Sequence, residues 1–476
     1  MVARCRSRSP LRGTNHWRAA LRVGGFGLLG SILVAAACEG AQDDEGSGAG
    51  TGTGGRGAGG GGAWTSSTSA AGRGGTAPDA GQGGAAGAGA EPMWEALSGG
   101  IVSCTVERIV NPTEVRAFHL EPCAEQPNCE KAALSDWLGN LGTTSYFTTG
   151  EAHDTDVGVM LAFNVYMAPD YVVVFARDDG WVVDAYRVHE NPPEGHCMAG
   201  IPVMSASRYG FDVDQGNEFT MLRLGGVLSA LDQSEPPTFY EVTPVPYGVG
   251  PQIWSSMGSQ RLVWQFYAPR LLSVSSIDGS GLYTMAESSD NGPILEVNYP
   301  TGPGDVFYFE VVYLVPPSTV QGVVAQSNGL EPASPYLTPP DGSYYGRPAF
   351  AHSHIGWMRG TGQTDANTFA SVELWASPYS PNPADLVPAK IDDYPSTHMT
   401  WLHGGYGYLA APSAADAPAY SETAVWRLSD GVKLIFPFPG GRKIDRIVGI
   451  TPAHVWIVGK QQSGNFADMI VRFALD

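Results

Sequence analysis

The fold is decided by two short segments near the end of the chain, HIGWMRG at 354–360 and SVELWAS at 371–377. Both are rich in β-branched and aromatic residues and have Gly, Ser, Asn or Asp nearby, which is typical of β-strands between turns. The same arrangement returns as GYGYLAA (405–411) with AVWRLSD (424–430), and as HVWIVGK (454–460) with MIVRFALD (469–476). In each unit, an apolar strand with an aromatic residue leads through a polar loop to a second strand.

These units recur at a nearly constant interval. Trp357, Tyr408 and Trp456 mark the equivalent positions, about 50 residues apart, and Phe307 in DVFYFEVVYLV is one further step upstream. A unit of this length with about four strands has the size of a β-propeller blade. Residues 93–476 therefore predict about seven blades, with six or eight as alternatives.

The repeats resemble those of β-propellers in general. VWRLSDG (425–431) is similar to the strand-and-turn ending of a blade, and HVWIVG (454–459) is similar to an inner strand. The resemblance implies an all-β ring in which neighbouring sheets cover one another and few strand edges are exposed. A pair of β-sandwiches is the alternative architecture, but it does not predict the regular spacing.

One segment predicts a helix. Within CEKAALSDWLGNL, from Cys129 to Leu141, the residues Ala133, Trp137 and Leu141 follow one another at intervals of four. This spacing places them on one helical face. We expect a single short helix added to a β fold.

The N-terminus predicts export. Residues 1–22 hold six arginines and no acidic residue, and an apolar run follows from Val23 to Ala37. A basic region before a short apolar run is the layout of a signal peptide. The run is about 15 residues long, short of the roughly 20 that span a bilayer as a helix, so we expect cleavage after residue 37.

The segment LVAAAC, ending at Cys38, resembles the lipobox of bacterial lipoproteins, although Ala35 stands where that family usually has Leu. This resemblance implies a diacylglycerol-modified Cys38, with ordinary secretion as the alternative. Residues 38–92 are dominated by Gly, Ala, Ser and Thr and are expected to form a disordered tether. The whole chain therefore resembles a bacterial lipid-anchored β-propeller lipoprotein. This resemblance implies a location in the cell envelope, periplasmic or at the cell surface, with the lipid membrane as a partner through the anchor at Cys38.

The mature chain is strongly acidic. The sequence has 27 Lys and Arg against 47 Asp and Glu, and removal of the six N-terminal arginines leaves 21 basic residues, a net charge of −26. An acidic surface repels phosphate backbones, so nucleic acid is excluded as a partner.

Four cysteines remain in the predicted domain: Cys104, Cys123, Cys129 and Cys197. An even number in an exported protein predicts disulfides, and three pairings are possible. A zinc site is the competing interpretation, but the five-residue gap between Cys123 and Cys129 exceeds the usual short ligand spacing.

Common catalytic motifs are absent from the sequence, and no cofactor is predicted. Histidines are the candidate metal ligands, since His352, His354, His403 and His454 recur at repeat-like intervals and neutral imidazoles bind zinc or manganese. Some seven-bladed polysaccharide lyases are similar in outline. A histidine that bonds the backbone near a blade strand is the alternative interpretation for each position.

Three functions follow as hypotheses. The first is a non-enzymatic binding or scaffold module that presents its loops to a protein or glycan partner. The second is a carbohydrate-active enzyme, a polysaccharide lyase or hydrolase, with or without a metal at the histidines. The third is a structural lipoprotein of the envelope. Propellers host binding and catalysis alike, so the fold does not choose between these functions.

Overall fold

The computed structural model describes residues between 104 and 476, with gaps. The described ranges are 104–109, 118–134, 145–155, 158–167, 170–190, 198–199, 202–204, 209–214, 220–224, 239–242, 254–257, 261–267, 270–276, 283–287, 294–303, 305–315, 319–328, 331–340, 342–365, 368–413, 421–460 and 467–476. The predicted signal peptide (1–37), the predicted tether (38–92) and Cys38 lie outside them. Within these ranges, no helix has the length and apolar character of a membrane span.

Most of the described residues lie in short strands. Those of the first half are β1 (Cys104–Arg108), β2 (Glu121–Pro122), β3 (Cys129–Ala133), β4 (Ser145–Thr155), β5 (Gly158–Met167), β6 (Asp170–Arg177), β7 (Val182–Glu190), β8 (Met198–Ala199), β9 (Val203–Met204), β10 (Tyr209–Asp214), β11 (Thr220–Leu224), β12 (Phe239–Val242), β13 (Trp254–Met257), β14 (Arg261–Tyr267), β15 (Arg270–Ser276) and β16 (Tyr283–Glu287).

The second half continues the series. Its strands are β17 (Ile294–Thr301), β18 (Phe307–Val315), β19 (Thr319–Ser327), β20 (Ser334–Leu337), β21 (Ser343–Phe350), β22 (His354–Asp365), β23 (Thr368–Pro378), β24 (Ala389–Tyr394), β25 (His403–Gly405), β26 (Tyr408–Pro412), β27 (Glu422–Arg427), β28 (Lys433–Pro437), β29 (Lys443–Ile450), β30 (His454–Lys460) and β31 (Ala467–Ala474). Two single-turn 3-10 helices, Pro383–Asp385 and Pro439–Gly441, lie in turns.

The strands of the described ranges form seven antiparallel sheets. Sheet 1 runs β4-β5-β6-β7 with β1 outside β7, and sheet 2 runs from β8 and β9 through β10 and β11 to β12. Sheets 3 to 6 each take four consecutive strands, from β13, β17, β21 and β25 onward. Sheet 7 runs β29-β30-β31-β3 with β2 outside β3.

The seven sheets form a closed ring. The first strand of each sheet contacts the first strand of the next, in the order β4, β9, β13, β17, β21, β25 and β29, and β29 contacts β4 again. Seven four-stranded sheets that meet in a circle through their inner strands make a seven-bladed β-propeller. The predicted fold and blade number are confirmed, and the β-sandwich alternative is wrong. We name the strands of each blade a to d from the inside outward.

The ring closes where a strand from the beginning of the domain pairs with the C-terminal strand. Blade 7 takes its a, b and c strands from the C-terminal segment and its d strand, β3, from residues 129–133. Cys129 pairs with Phe473 and Ala132 with Ile470 in antiparallel register. The pairing provides hydrogen-bond partners for the backbone groups along the edge of β31, which would otherwise be unpaired.

The helix predicted from Cys129 to Leu141 is wrong over residues 129–133, which form this closing strand. The edge of β31 supplies a full set of backbone hydrogen-bond partners, and this tertiary contact outweighs a weak local pattern. Residues 135–141 lie outside the described ranges.

The repeat is confirmed at the level of strands but not of single residues. Phe307, Trp357, Tyr408 and Trp456 all lie in b strands, of blades 4 to 7 in turn. The a–b turns, however, align Tyr408 with His354 and His454, because these three residues follow the turn directly. The equivalence predicted for Trp357, Tyr408 and Trp456 is therefore wrong.

Trp357 and Trp456 consequently face opposite sides of their sheets. Trp456 packs among residues of blade 1, whereas Trp357 packs among residues of blade 4. Gly356 is the residue of blade 5 at the position equivalent to Trp456 of blade 7. A Cβ atom at Gly356 would lie 2.5 Å from Leu409 of blade 6, so no side chain fits there. Because side chains alternate along a strand, an offset of one residue moves the indole side chain to the other face of the sheet.

One predicted disulfide is present, between Cys123 and Cys129, in the loop that leads from β2 into the closing strand. Of the other candidates, Cys104 is the first residue of β1 and pairs with Glu190, and Cys197 lies outside the described ranges. The disulfide prediction is confirmed for the first pair and stays a prediction for the second.

Replacing both Cys123 and Cys129 with Ala should lower the free energy of unfolding by about 2 kcal/mol, because the bond closes a short loop whose entropy the unfolded chain then regains. Chemical denaturation measures the change. Glu125→Ala, at an exposed position of the same loop, is the control and should change stability by less than about 0.5 kcal/mol. Equal effects of both variants would contradict the assignment.

Candidate functional site at the mouth of the ring

The a–b ends of all blades and the c–d ends of blades 1 to 6 lie on the same side of the ring, because consecutive strands are antiparallel. Backbone bonds join the two kinds of turn directly: Tyr379 N donates to Ser353 O at 2.8 Å in blade 5, and Leu428 N donates to Gly407 O at 2.9 Å in blade 6. We call this the AB/CD end. Side chains in the a–b turns lie closest to the central channel at this end.

Three side chains meet here in a closed hydrogen-bonded group, which we call the mouth cluster: Asp154, His352 and Tyr406. The Tyr406 hydroxyl donates to Asp154 Oδ1 at 2.6 Å, and His352 Nε2 lies 2.9 Å from Asp154 Oδ2. The backbone N–H of Tyr406 donates to His352 Nδ1 at 3.1 Å. The Nδ1 atom therefore carries the lone pair, and a neutral His352 is protonated on Nε2 and donates to Asp154.

The mouth cluster joins blades that are not neighbours. Asp154 lies in the a–b hairpin of blade 1, His352 in the a–b turn of blade 5 and Tyr406 in that of blade 6. Blade 7 separates blade 6 from blade 1, so the contacts of Asp154 do not run between neighbouring sheets. Side chains from three blades thus meet at one end of the ring.

Both aromatic members have unusual backbones. The φ angle is 59° at His352 and 49° at Tyr406, in the left-handed region that residues with a Cβ atom rarely adopt. Tyr406 and Gly407, with φ of 82°, form the two-residue turn between paired Gly405 and Tyr408, as in a type I′ hairpin. Such strain is stored at functional sites more often than elsewhere.

The cluster holds a charged carboxylate. Burial alone would raise the pKa of Asp154, but hydrogen bonds from Tyr406 and His352 outweigh burial and bring the pKa below its usual value. Burial and the bond to Asp154 raise the pKa of Tyr406. At neutral pH the site therefore presents an ionised carboxylate beside a neutral phenol.

A second polar group joins blades 7 and 1. Asp178, in the c–d turn of blade 1, accepts from Thr451 Oγ1 at 2.9 Å, His454 Nδ1 at 2.9 Å and Trp456 Nε1 at 2.7 Å. Trp456 is fully buried. The group holds the two blades together where the ring closes.

Acid should weaken this junction. Burial raises the pKa of Asp178, but hydrogen bonds from His454 and Trp456 lower it more, so the folded pKa is below the unfolded one. The resulting stability is complete above about pH 4 and is lost as pH falls through the lowered pKa. We expect the destabilisation by Asp178→Asn, measured by denaturant unfolding from pH 7 to pH 2, to shrink below about pH 4. The control Asp393→Asn, at an 80% exposed side chain, should show little effect throughout.

The candidate metal ligands have separate environments. His352 bonds Asp154, His454 bonds Asp178, and His354 Nδ1 lies 2.9 Å from Ser353 Oγ. Loss of hydration and the charge of Arg446 lower the pKa of His403 to about 4. In the part of the chain that is described, no three His, Cys, Asp or Glu side chains are placed to hold a metal ion.

Sequence reasoning selected one member of the mouth cluster, His352, and missed Asp154 and Tyr406. No local pattern indicated Asp154, since it is 198 residues from His352 and 252 from Tyr406.

The AB/CD end also carries apolar side chains in contact with solvent. Trp181 is 39% exposed, Val387 69% and Val432 37%, in the c–d turns of blades 1, 5 and 6. Of the large apolar residues exposed in the described ranges, only Ile435 lies elsewhere, within a d strand.

No family model matches the chain, and no curated protein matches its sequence. Among solved structures, the chain is similar to the β-propeller domain of the Trilobed protease from Pyrococcus furiosus, with a TM-score of 0.44 and 9% identity over 71% of this chain and 95% of that one. It is also similar to the WD40 domain of SCAP from fission yeast (TM-score 0.37, 10% identity, 78% and 98% covered) and to a Penicillium chrysogenum α-L-arabinanase (0.32, 12%, 68% and 92%). At identities of 12% or less, no function carries over from these proteins.

Proposed function

We propose that this chain is a lipid-anchored binding module of the bacterial cell envelope, whose partner docks on the AB/CD end of the propeller. The observation that carries this proposal is the mouth cluster, in which Asp154, His352 and Tyr406 from three blades converge on strained turns. A polar group assembled from distant segments, exposed at a ring mouth, is typical of a recognition site.

The exposed apolar residues also favour partner docking at the AB/CD end. Trp181, Val387 and Val432 lie in turns that surround the mouth cluster at a larger radius. An exposed tryptophan supplies a large contact area at a small entropic cost, and aromatic residues are enriched in binding surfaces. Apolar contacts around a polar centre suit a protein or glycan partner.

The anchor is part of the proposal. A modified Cys38 and a Gly-rich tether through residue 92 would hold the ring near the membrane. Cells fed labelled palmitate should label the protein, and Cys38→Ser should abolish both the label and recovery in the membrane fraction. Equal labelling of this variant would remove the anchor from the proposal.

Photo-crosslinking distinguishes the two ends. A photoreactive amino acid at Val387 or Val432 should crosslink the domain to an envelope component in living cells. The same amino acid at Thr397, exposed in the d–a loop at the other end of blade 5, is the matched control. Crosslinks from Thr397 alone would place the partner at the wrong end and refute the proposal.

A carbohydrate-active enzyme is the second candidate, favoured by the ionised Asp154 beside the neutral hydroxyl of Tyr406. A carboxylate can accept a proton and a phenol can donate one, but the lowered pKa of Asp154 and the raised pKa of Tyr406 make both groups weak in proton transfer at neutral pH, which places this candidate second. Release of new reducing or unsaturated ends from a polysaccharide, abolished by Asp154→Asn, would replace binding by catalysis as the function.

A further inference from the structure

We infer that the mouth cluster is a subsite for a neutral, hydroxyl-rich ligand, a glycan without acidic groups. This inference rests on the proposed binding function and names the ligand class. It follows from the hydrogen-bonding capacity, the ring surfaces and the charges of the AB/CD end, which are considered in turn.

Asp154 has unused capacity to accept hydrogen bonds. Its side chain is 56% exposed, and each carboxylate oxygen has two acceptor sites. Tyr406 and His352 occupy one oxygen each. The remaining acceptor sites face donors from outside, and two neighbouring hydroxyls of a sugar supply donors at a matching separation. Bonds to a charged acceptor are the stronger kind.

A row of aromatic rings leads to this carboxylate. The ring of Tyr379 contacts Phe350 at 5.2 Å, Phe350 contacts His352 at 6.4 Å, and His352 stacks on Tyr406 at 4.1 Å. All four side chains are partly or largely accessible. Aromatic faces attract the weakly positive C–H groups that cover one side of a sugar ring. The row therefore offers apolar contact beside a polar anchor, as a sugar requires.

Charge discriminates against acidic glycans. Asp178 lies close enough to Tyr406 to add to the increase in its pKa. The nearby c–d turns hold Asp179 and Asp430, and the arginines there, Arg177 and Arg427, already pair with these carboxylates. A uronate or sulfate group would meet negative potential at the mouth without a free cation in the described turns to pair with.

The site is ordered before a ligand arrives. Positive φ angles at His352 and Tyr406 and the three internal bonds hold the rings and Asp154 in place. A ligand then binds without the entropy cost of ordering these side chains.

Affinity electrophoresis tests the inference. Full-length protein should be retarded by at least one neutral polysaccharide from a panel of arabinan, galactan and β-glucan, and not by alginate or polygalacturonate. Asp154→Asn, similar in shape but uncharged, should weaken retardation about tenfold. Asp393→Asn, which removes an exposed carboxylate from the outer strand of blade 5, should leave it unchanged, and unfolding midpoints verify that both variants fold.

The pH dependence has a defined sign. The pKa of Asp154 is below its usual value, so affinity should be constant from pH 7 to pH 5 and should fall only below about pH 4, as the carboxylate gains a proton. The titratable or charged groups that face it are His153, His352, Tyr406 and Asp178. A fall near pH 6 that persists in Asp154→Asn would assign recognition to a histidine and refute the role of the carboxylate.

Other outcomes overturn the inference and separate it from the proposed function. Retardation by acidic polysaccharides or binding of a lysine-rich peptide in place of neutral glycans would assign another ligand class. If no polysaccharide binds while crosslinks persist from Val387 and Val432, the ligand inference fails and the binding function stands. If those crosslinks are absent as well, both fail.

Discussion

Replacing Ala132 with Asp is expected to open the propeller and abolish its cooperative unfolding transition. Ala132 is 5% exposed in the closing strand β3, opposite Ile470, within the core shared by blades 7 and 1. A carboxylate there has no partner and costs several kcal/mol. Since domains are stable by only about 5–15 kcal/mol, this one change is a large fraction of the total.

Lys131→Asp is the matched control for Ala132→Asp. It introduces the same residue at the neighbouring position of β3, where the side chain is partly exposed, so the free energy of unfolding should change by less than about 1 kcal/mol. Denaturant unfolding and limited proteolysis provide the measurements. Wild-type stability in Ala132→Asp would show that β3 does not close the ring.

Trp456→Phe is expected to lower the free energy of unfolding by about 2–4 kcal/mol. The substitution leaves a void at a fully buried position and removes the indole N–H that donates to Asp178. It also replaces the indole over which the Arg472 guanidinium lies, 5.5 Å from the ring centre, by a smaller ring with a weaker cation–π attraction.

Trp357→Phe tests the hydrogen-bond contribution to that loss. Trp357 is equally buried, but its indole nitrogen has no hydrogen-bond partner. The smaller ring leaves a similar void and removes an unsatisfied donor, so the two effects partly offset and the loss should be about 1 kcal/mol. Equal losses in the two variants would mean that the bond to Asp178 contributes nothing measurable.

Local patterns predicted the strands well because each strand depends on its own residues. The b strands that contain Phe307, Trp357, Tyr408 and Trp456 were recognisable from β-branched and aromatic residues between turn residues. Their spacing predicted the blade number, because a ring of similar sheets needs similar lengths of chain. The face of the sheet on which each aromatic side chain lies was not recognisable, because it depends on the neighbouring blade. The close approach of Leu409 to Gly356 shows this dependence.

Some elements gave a misleading local pattern or none. Residues 129–133 resemble a helix in isolation and become a strand only because β31 offers an edge to pair with. The pairing of Cys123 with Cys129 was one of three alternatives until the β2–β3 loop brought the two sulfurs together. In both cases the deciding contacts belong to the folded ring.

The sequence by itself determined an all-β chain of repeated blades and limited its chemistry, because strand formation, repeat length and charge are properties of local composition. Only the tertiary structure decided the closing strand and the mouth cluster. Asp154 is 198 residues from His352 and 252 from Tyr406 along the chain. These side chains meet only when blade 7 joins blade 1. Contacts across a closed ring depend on the closure itself, which no single segment encodes.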